Sequence, residues 1–323
     1  MSGDEQPNLL DLTDSSHLPQ TITETIEYLS SIVLKQFNRE AIEKQLFYHN
    51  EIHIRAVQRR SQQIFAVVAP ALSSSLDLSR TQLLLDFCAI AHDMVQQFDA
   101  TPEIHTARQR KPGISEMITI EQLIHLIRQL NDQLDQQNST AKLTDADIAV
   151  IQQAITATIC TYHGQEQAIY QPLLYAGEPL SIVSRILALA DLGTLGMDGI
   201  EAYNHEGSLL FLEENPDVVP LLQEKTIQHL ESTNPDLAEN IRKRLLKRCH
   251  FQVNFAKSRL LRLNQELQGL PETTIPVLRT EVFQYLSPST IVTITTTTPT
   301  SPDTPLEVLL QFFQLEQYLS DGK

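Results

Sequence analysis

Cysteine and glycine are scarce: three and ten residues in a chain of 323. Cys88, Cys160 and Cys249 are widely spaced and odd in number, which argues against a disulfide framework and suits a reducing compartment. They read as small buried hydrophobes. Basic charge is also short, with 24 Lys and Arg against 40 Asp and Glu and a formal net charge of −16. Such a surface repels a phosphate backbone, so polymeric nucleic acid is not an expected partner. No apolar run approaches the roughly 20 residues that a membrane span needs. Ile182 to Leu192, among the longest, is broken by Ser184 and Arg185, so no transmembrane helix and no membrane partner are expected. The start, Met1-Ser2-Gly3-Asp4-Glu5-Gln6-Pro7, lacks both the basic residues and the apolar stretch of a secretory signal, which makes the cytoplasm the expected location.

Strand-like alternation is almost absent as well, and a helical period takes its place. Ile22, Ile26, Leu29 and Val33 mark a first amphipathic segment; Ile54, Val57, Ile64 and Val68 mark a second, and Leu83, Leu84, Phe87 and Ile90 a third. Asn215-Pro216-Asp217 and Asn234-Pro235-Asp236 each combine a cap, a first-turn proline and an acid favoured by the helix dipole, so both are expected to open helices. Hydrophobic residues make up 41%, enough for a substantial core. The fold class expected is all-α. A flexible leader (1–20) precedes one compact helical domain (21–269). Residues 270–305 hold Pro271, Pro276, Pro288, Pro299, Pro302 and Pro305 around the threonines 295–298, and read as an extended linker in which Ile291, Val292 and Ile294 could form a short strand. Leu306, Leu309, Leu310, Phe313 and Leu315 give residues 306–323 one apolar helical face, which docks either on the chain's own core or on a protein partner.

The residues that carry chemistry lie within or at the ends of these helical segments. In Tyr48-His49-Asn50-Glu51-Ile52-His53 the two histidines are four apart, which on a helix puts them on one face. His92-Asp93 closes the apolar segment from Leu83 to Ala91, where a buried carboxylate needs a partner that a cation can supply. Asp191 closes Ile186-Leu187-Ala188-Leu189-Ala190 in the same way, while its neighbour Asp198 lacks a buried approach. His53, His92, Asp93 and Asp191 form a mixed N/O ligand set of the kind that holds zinc, iron, manganese or magnesium.

This ordered pattern, and the Ala-x-Ala-His-Asp setting of the pair, resemble the HD superfamily of metal-dependent phosphohydrolases over about residues 47–196. The Tyr-His-Asn-x-x-His string is similar to that of cyclic-nucleotide phosphodiesterases. The resemblance implies an HD-type helical domain, one or two divalent ions on His53, His92, Asp93 and Asp191, and His49 as the proton donor to the leaving oxygen. It also implies a pocket role for His163, on a second metal or the substrate phosphate; the residues alone allow a helix-terminal histidine. Where HD subfamilies have Glu, Lys or His three residues after the Asp of the pair, this chain has Gln96, so no specific subfamily is supported. Arg55, Arg59 and Arg60 form one basic cluster. Arg108, Arg110 and Lys111 form another, in a loop that either orients a phosphate or is simply solvated. Glu116 is either a pocket acid or a dipole partner. The expected function is hydrolysis of a small, nucleotide-like phosphoester. The alternative is a catalytically inactive HD-fold regulatory or scaffold protein.

Overall fold

A computed structural model describes residues 18–99, 103, 105–177, 179–315 and 317. Most of the expected leader lies outside the described residues. Polar side chains set the helix starts. Thr21 accepts from Glu24 N and opens α1 (Ile22–Glu43). Asn50 accepts from the amides of Ile52 and His53 and opens α2 (Glu51–Val68), and Asp77 opens α3 (Leu78–Ala91). Gly113, at φ +82°, turns the chain into α4 (Ile114–Gln136), and Thr144 and Asp147 cap α5 (Asp145–Ala157) reciprocally. A two-stranded antiparallel hairpin follows, β1 (Thr161–His163) and β2 (Ala168–Tyr170), with Thr161 opposite Tyr170. Then come α6 (Ile182–Asp191), α7 (Thr194–Glu214), α8 (Val218–Gln223), α9 (Leu230–Thr233) and α10 (Pro235–Glu266). The short α11 (Ile275–Val277), α12 (Pro288–Thr297) and α13 (Leu306–Phe312) complete the fold.

The interior of the main core is the bundle of α2, α3 and α6, which pack on one another. The second half of α3 is buried without a break from Phe87 to Ala91, and α6 is buried from Val183 to Ala190, as expected of helices with little polar face. α2 runs against both, so its first turn meets the ends of α3 and α6. A second apolar cluster joins the end of α7, α8, α9, the first half of α10 and α13. No helix among the described residues is long and apolar enough to cross a membrane.

The stretch 270–305 departs from the expected linker. Leu278, Phe283, Leu286 and Ile294 are buried in the main core. The threonine run is helical, not extended: Ser287 caps α12, Pro288 occupies its first turn, and Thr293, Thr295, Thr296 and Thr297 return their hydroxyls to the carbonyls four residues back. Composition misleads here because these side chains bond within their own helix while Ile294 points inward. Replacing Phe283 by Ala should cost about 3–5 kcal/mol in denaturant unfolding; a loss under about 1 kcal/mol would show that the segment does not pack. The terminal helix resolves as a docked element: Phe313 stacks on Phe211 with centroids 6.3 Å apart, and Ser208 Oγ donates to the Phe313 carbonyl at 2.7 Å. Its apolar face is therefore covered by the chain itself. Asn234 caps α10 as expected, whereas Asn215 ends α7 and α8 begins three residues later, at Val218.

Candidate metal centre

His53, His92, Asp93 and Asp191 meet where the start of α2 touches the ends of α3 and α6, each offering a ligand atom within 4.8 Å of the others. His53 is the third residue of α2, His92 directly follows α3, and Asp191 is the last residue of α6. Asp93 Oδ2 lies 3.1 Å from His92 Nε2 and 3.3 Å from His53 Nε2; Asp191 Oδ1 lies 3.5 Å and 3.7 Å from the same nitrogens. His92 Nδ1 is 3.0 Å from the Ala89 carbonyl, which fixes a proton there and makes Nε2 the nitrogen that faces the carboxylates. The buried nitrogen His92 Nε2 and both ring nitrogens of His53 have no hydrogen-bond partner. Orphaned buried nitrogens facing two carboxylates are what a divalent cation would satisfy, so the residues fit a metal ion. Burial disfavours charge on His92, but Asp93 and Asp191 outweigh it and push its pKa well up. Burial likewise opposes ionisation of Asp93, yet His92 and His49 hold its carboxyl well below the usual range.

His49 lies next to this cluster but not on the helix. Because Asn50 is the cap and α2 begins at Glu51, the expected shared helical face of His49 and His53 does not form. Glu213, near the end of α7, holds His49 in place. Its Oε2 accepts the amides of Tyr48 and His49 at 3.0 Å each, and its Oε1 is 2.5 Å from His49 Nδ1. Burial works against ionisation of Glu213, but His49, Arg110 and the His49 amide together lower its pKa to about 2. Its carboxylate therefore supports the fold above the ordinary value of about 4.5, and that support is lost as pH falls toward about 2. Sequence reasoning missed Glu213, for nothing in its local sequence separates it from Glu214.

The other candidates divide. Arg110 Nη1 is 3.1 Å from His49 Nε2 and also donates to Gln96 Oε1. Arg108 instead ties loops together by donating to the carbonyls of Lys44, Gln45 and Glu213, and Lys111 is exposed beside Asp99. Glu116 lines the same cavity as His49 and Arg110, and burial raises its pKa; it also lies in the first turn of α4, so both readings of it hold. His163 is not at a helix end. It sits on β1 beside Glu166, at 3.6 Å, and does not line the cavity. Asp198 is paired with Arg59 and the buried Arg60, each at 2.7 Å, and stands apart from the cluster.

The cavity has an empty volume of about 880 Å³, part of it open solvent, and its lining includes Asp93, Asp191, His49 and Arg110 together with Leu195, Tyr203, Leu210, Phe251, Gln252 and Phe255. Gly207 on α7 also lines it, and any Cβ there would collide with the Gln252 amide. Compared with protein-family models, with curated proteins and with solved structures, the chain matches none. The helical fold with a buried His/Asp cluster that could bind metal is compatible with an HD domain.

Proposed function

We propose that the chain is a metal-dependent phosphohydrolase of HD type, acting on a small, nucleotide-like phosphoester. The observation that supports this most is that one cavity is lined by both carboxylates of the His/Asp cluster, a histidine backed by a buried carboxylate, and an arginine. When bound by His53, His92, Asp93 and Asp191, a divalent ion supplies Lewis-acid polarisation of a phosphoryl oxygen and acidifies water. Arg110 offers its guanidinium to the phosphate. Glu213 occupies His49 Nδ1 and supports a cationic ring; once Arg110 turns from His49 Nε2 to the phosphate, that nitrogen in its protonated form delivers a proton to the departing alkoxide oxygen. The apolar and aromatic part of the lining suits a flat ring.

An HD-fold protein without turnover is the competing reading. The His49–Glu213 pair counts against it, because holding metal alone does not need that pair. Hydrolysis of a chromogenic phosphodiester separates the two. The expected result is loss of activity on chelation and recovery on adding back zinc, iron, manganese or magnesium. Metal binding without hydrolysis of that diester or of any of a panel of nucleotides would favour the non-catalytic protein.

A further inference from the structure

Each carboxylate of the cluster turns one oxygen to the histidines and the other to a glutamine amide. Asp93 points Oδ2 at His53 and His92, while its Oδ1 accepts from Gln96 Nε2 at 3.0 Å. Asp191 points Oδ1 at the same two rings, while its Oδ2 accepts from Gln171 Nε2 at 3.0 Å. Both glutamines are 0% exposed. They come from separate places, Gln96 from the turn after α3 and Gln171 from the segment after β2, so the matched arrangement is not a by-product of one local geometry. Behind Gln96 stands a cation: Arg110 Nη1 donates to Gln96 Oε1 and is 3.1 Å from His49 Nε2.

We infer that Gln96 and Gln171 hold Asp93 and Asp191 as single-oxygen ligands and, together with Arg110, limit the centre to one divalent ion per chain. The inference rests on the metal reading proposed above. A carboxylate that chelates one ion, or bridges two with one oxygen on each, needs both oxygens. Here the second oxygen is taken by an amide N–H, and displacing that amide would leave it buried without a partner. A second cation drawn toward Asp93 Oδ1 would also meet the Arg110 guanidinium, a like charge in a partly buried place. His163, the histidine considered for a second ion, sits on the hairpin beside Glu166, does not line the cavity and is not part of the His/Asp cluster. Two imidazole nitrogens and two carboxylate oxygens then form the whole protein ligand set, a mixed donor set that imidazole tilts toward zinc or iron over magnesium. In this arrangement Gln96 and Gln171 are positioning residues, acting on the ion through the carboxylates they hold.

The test measures bound metal per chain by elemental analysis and metal affinity by chelator competition, with zinc and with cobalt, in the full chain. The variants are Gln96→Met and Gln171→Met, which keep side-chain length and fill the site without an N–H donor. Gln62→Ala is the matched control, since its amide bonds Asp86 at 2.7 Å, outside the cluster. One ion per chain is expected in the unaltered protein. Each Met variant should bind roughly 10- to 100-fold more weakly. Its cobalt absorption spectrum should change, because the released carboxylate oxygen re-coordinates, a change that a purely structural role would not produce. The control should match the unaltered protein. Two ions bound in the unaltered protein would overturn the single-ion centre without recourse to any variant. Met variants with unaltered affinity and spectrum would overturn the role of the glutamines. An unaltered protein that binds no ion would overturn the metal reading itself, and this inference with it.

Discussion

Asp93→Ala should abolish metal retention and, with it, the gain in thermal stability that metal gives the unaltered protein. Asp93 is the residue on which the cluster depends most, since Oδ2 faces both ligand histidines and lies 3.8 Å from His49. Its removal takes one ligand and one negative charge from the ion, and the oxygen lost is the one that faces both imidazoles. A ligand present at about 1,000 times its Kd adds about 4 kcal/mol to folding stability by mass action. The unaltered protein should therefore gain markedly in Tm when metal is added, and the variant should not. Asp198→Ala provides the contrast, but it is not a silent control. It takes one partner from Arg60, which is 1% exposed and keeps only Glu206, at 3.1 Å. A loss of about 3 kcal/mol is expected for leaving that buried guanidinium under-paired, with metal affinity unchanged. Equal metal binding by the two variants would show that the ligand set is misassigned at its centre.

The second large effect separates His49 from His53. His53→Ala removes a proposed ligand, so metal content and rate should fall together. His49→Ala removes the proposed proton donor, so metal should remain while turnover drops by roughly 10² to 10⁴. The loss should depend on the leaving group. Nitrophenolate departs with little protonation, so a nitrophenyl ester should suffer less from His49→Ala than an alkyl or ribosyl ester does. Glu213→Gln should lower both turnover and folding stability, because an amide oxygen on His49 Nδ1 turns the NH2 group toward the Tyr48 and His49 amides, donor against donor in a buried place. Equal losses on both ester types, with metal intact, would leave His49 as a residue that positions substrate.

Much of this arrangement was legible in the sequence because its signals are local. His92-Asp93 and Asp191 follow unbroken apolar helical stretches, and a polar group at the buried end of such a helix has few explanations other than a partner in space. The role of Asn50 was hidden in the same string: it is the helix cap, which puts His53 on the first turn of α2 and His49 outside it. What could not be read depends on contacts distant in sequence. Glu213 reaches His49 across 164 positions, and Gln171 reaches Asp191 from beyond a hairpin that the helical period gave no sign of. Gln96 was visible only as a departure from known HD patterns. Its meaning came from the oxygen it holds and the guanidinium behind it. The Pro/Thr-rich stretch failed for a different reason: threonines that bond back within a helix satisfy themselves, so polarity there does not signal an unpacked chain.

Anomalous diffraction from crystals grown with zinc or manganese would test the metal centre most directly. The expected result is a single peak about 2.0–2.2 Å from His53 Nε2, His92 Nε2, Asp93 Oδ2 and Asp191 Oδ1, with the second oxygens of Asp93 and Asp191 still on Gln96 and Gln171. No peak at that place, or a peak bound instead at His163 and Glu166, would contradict it.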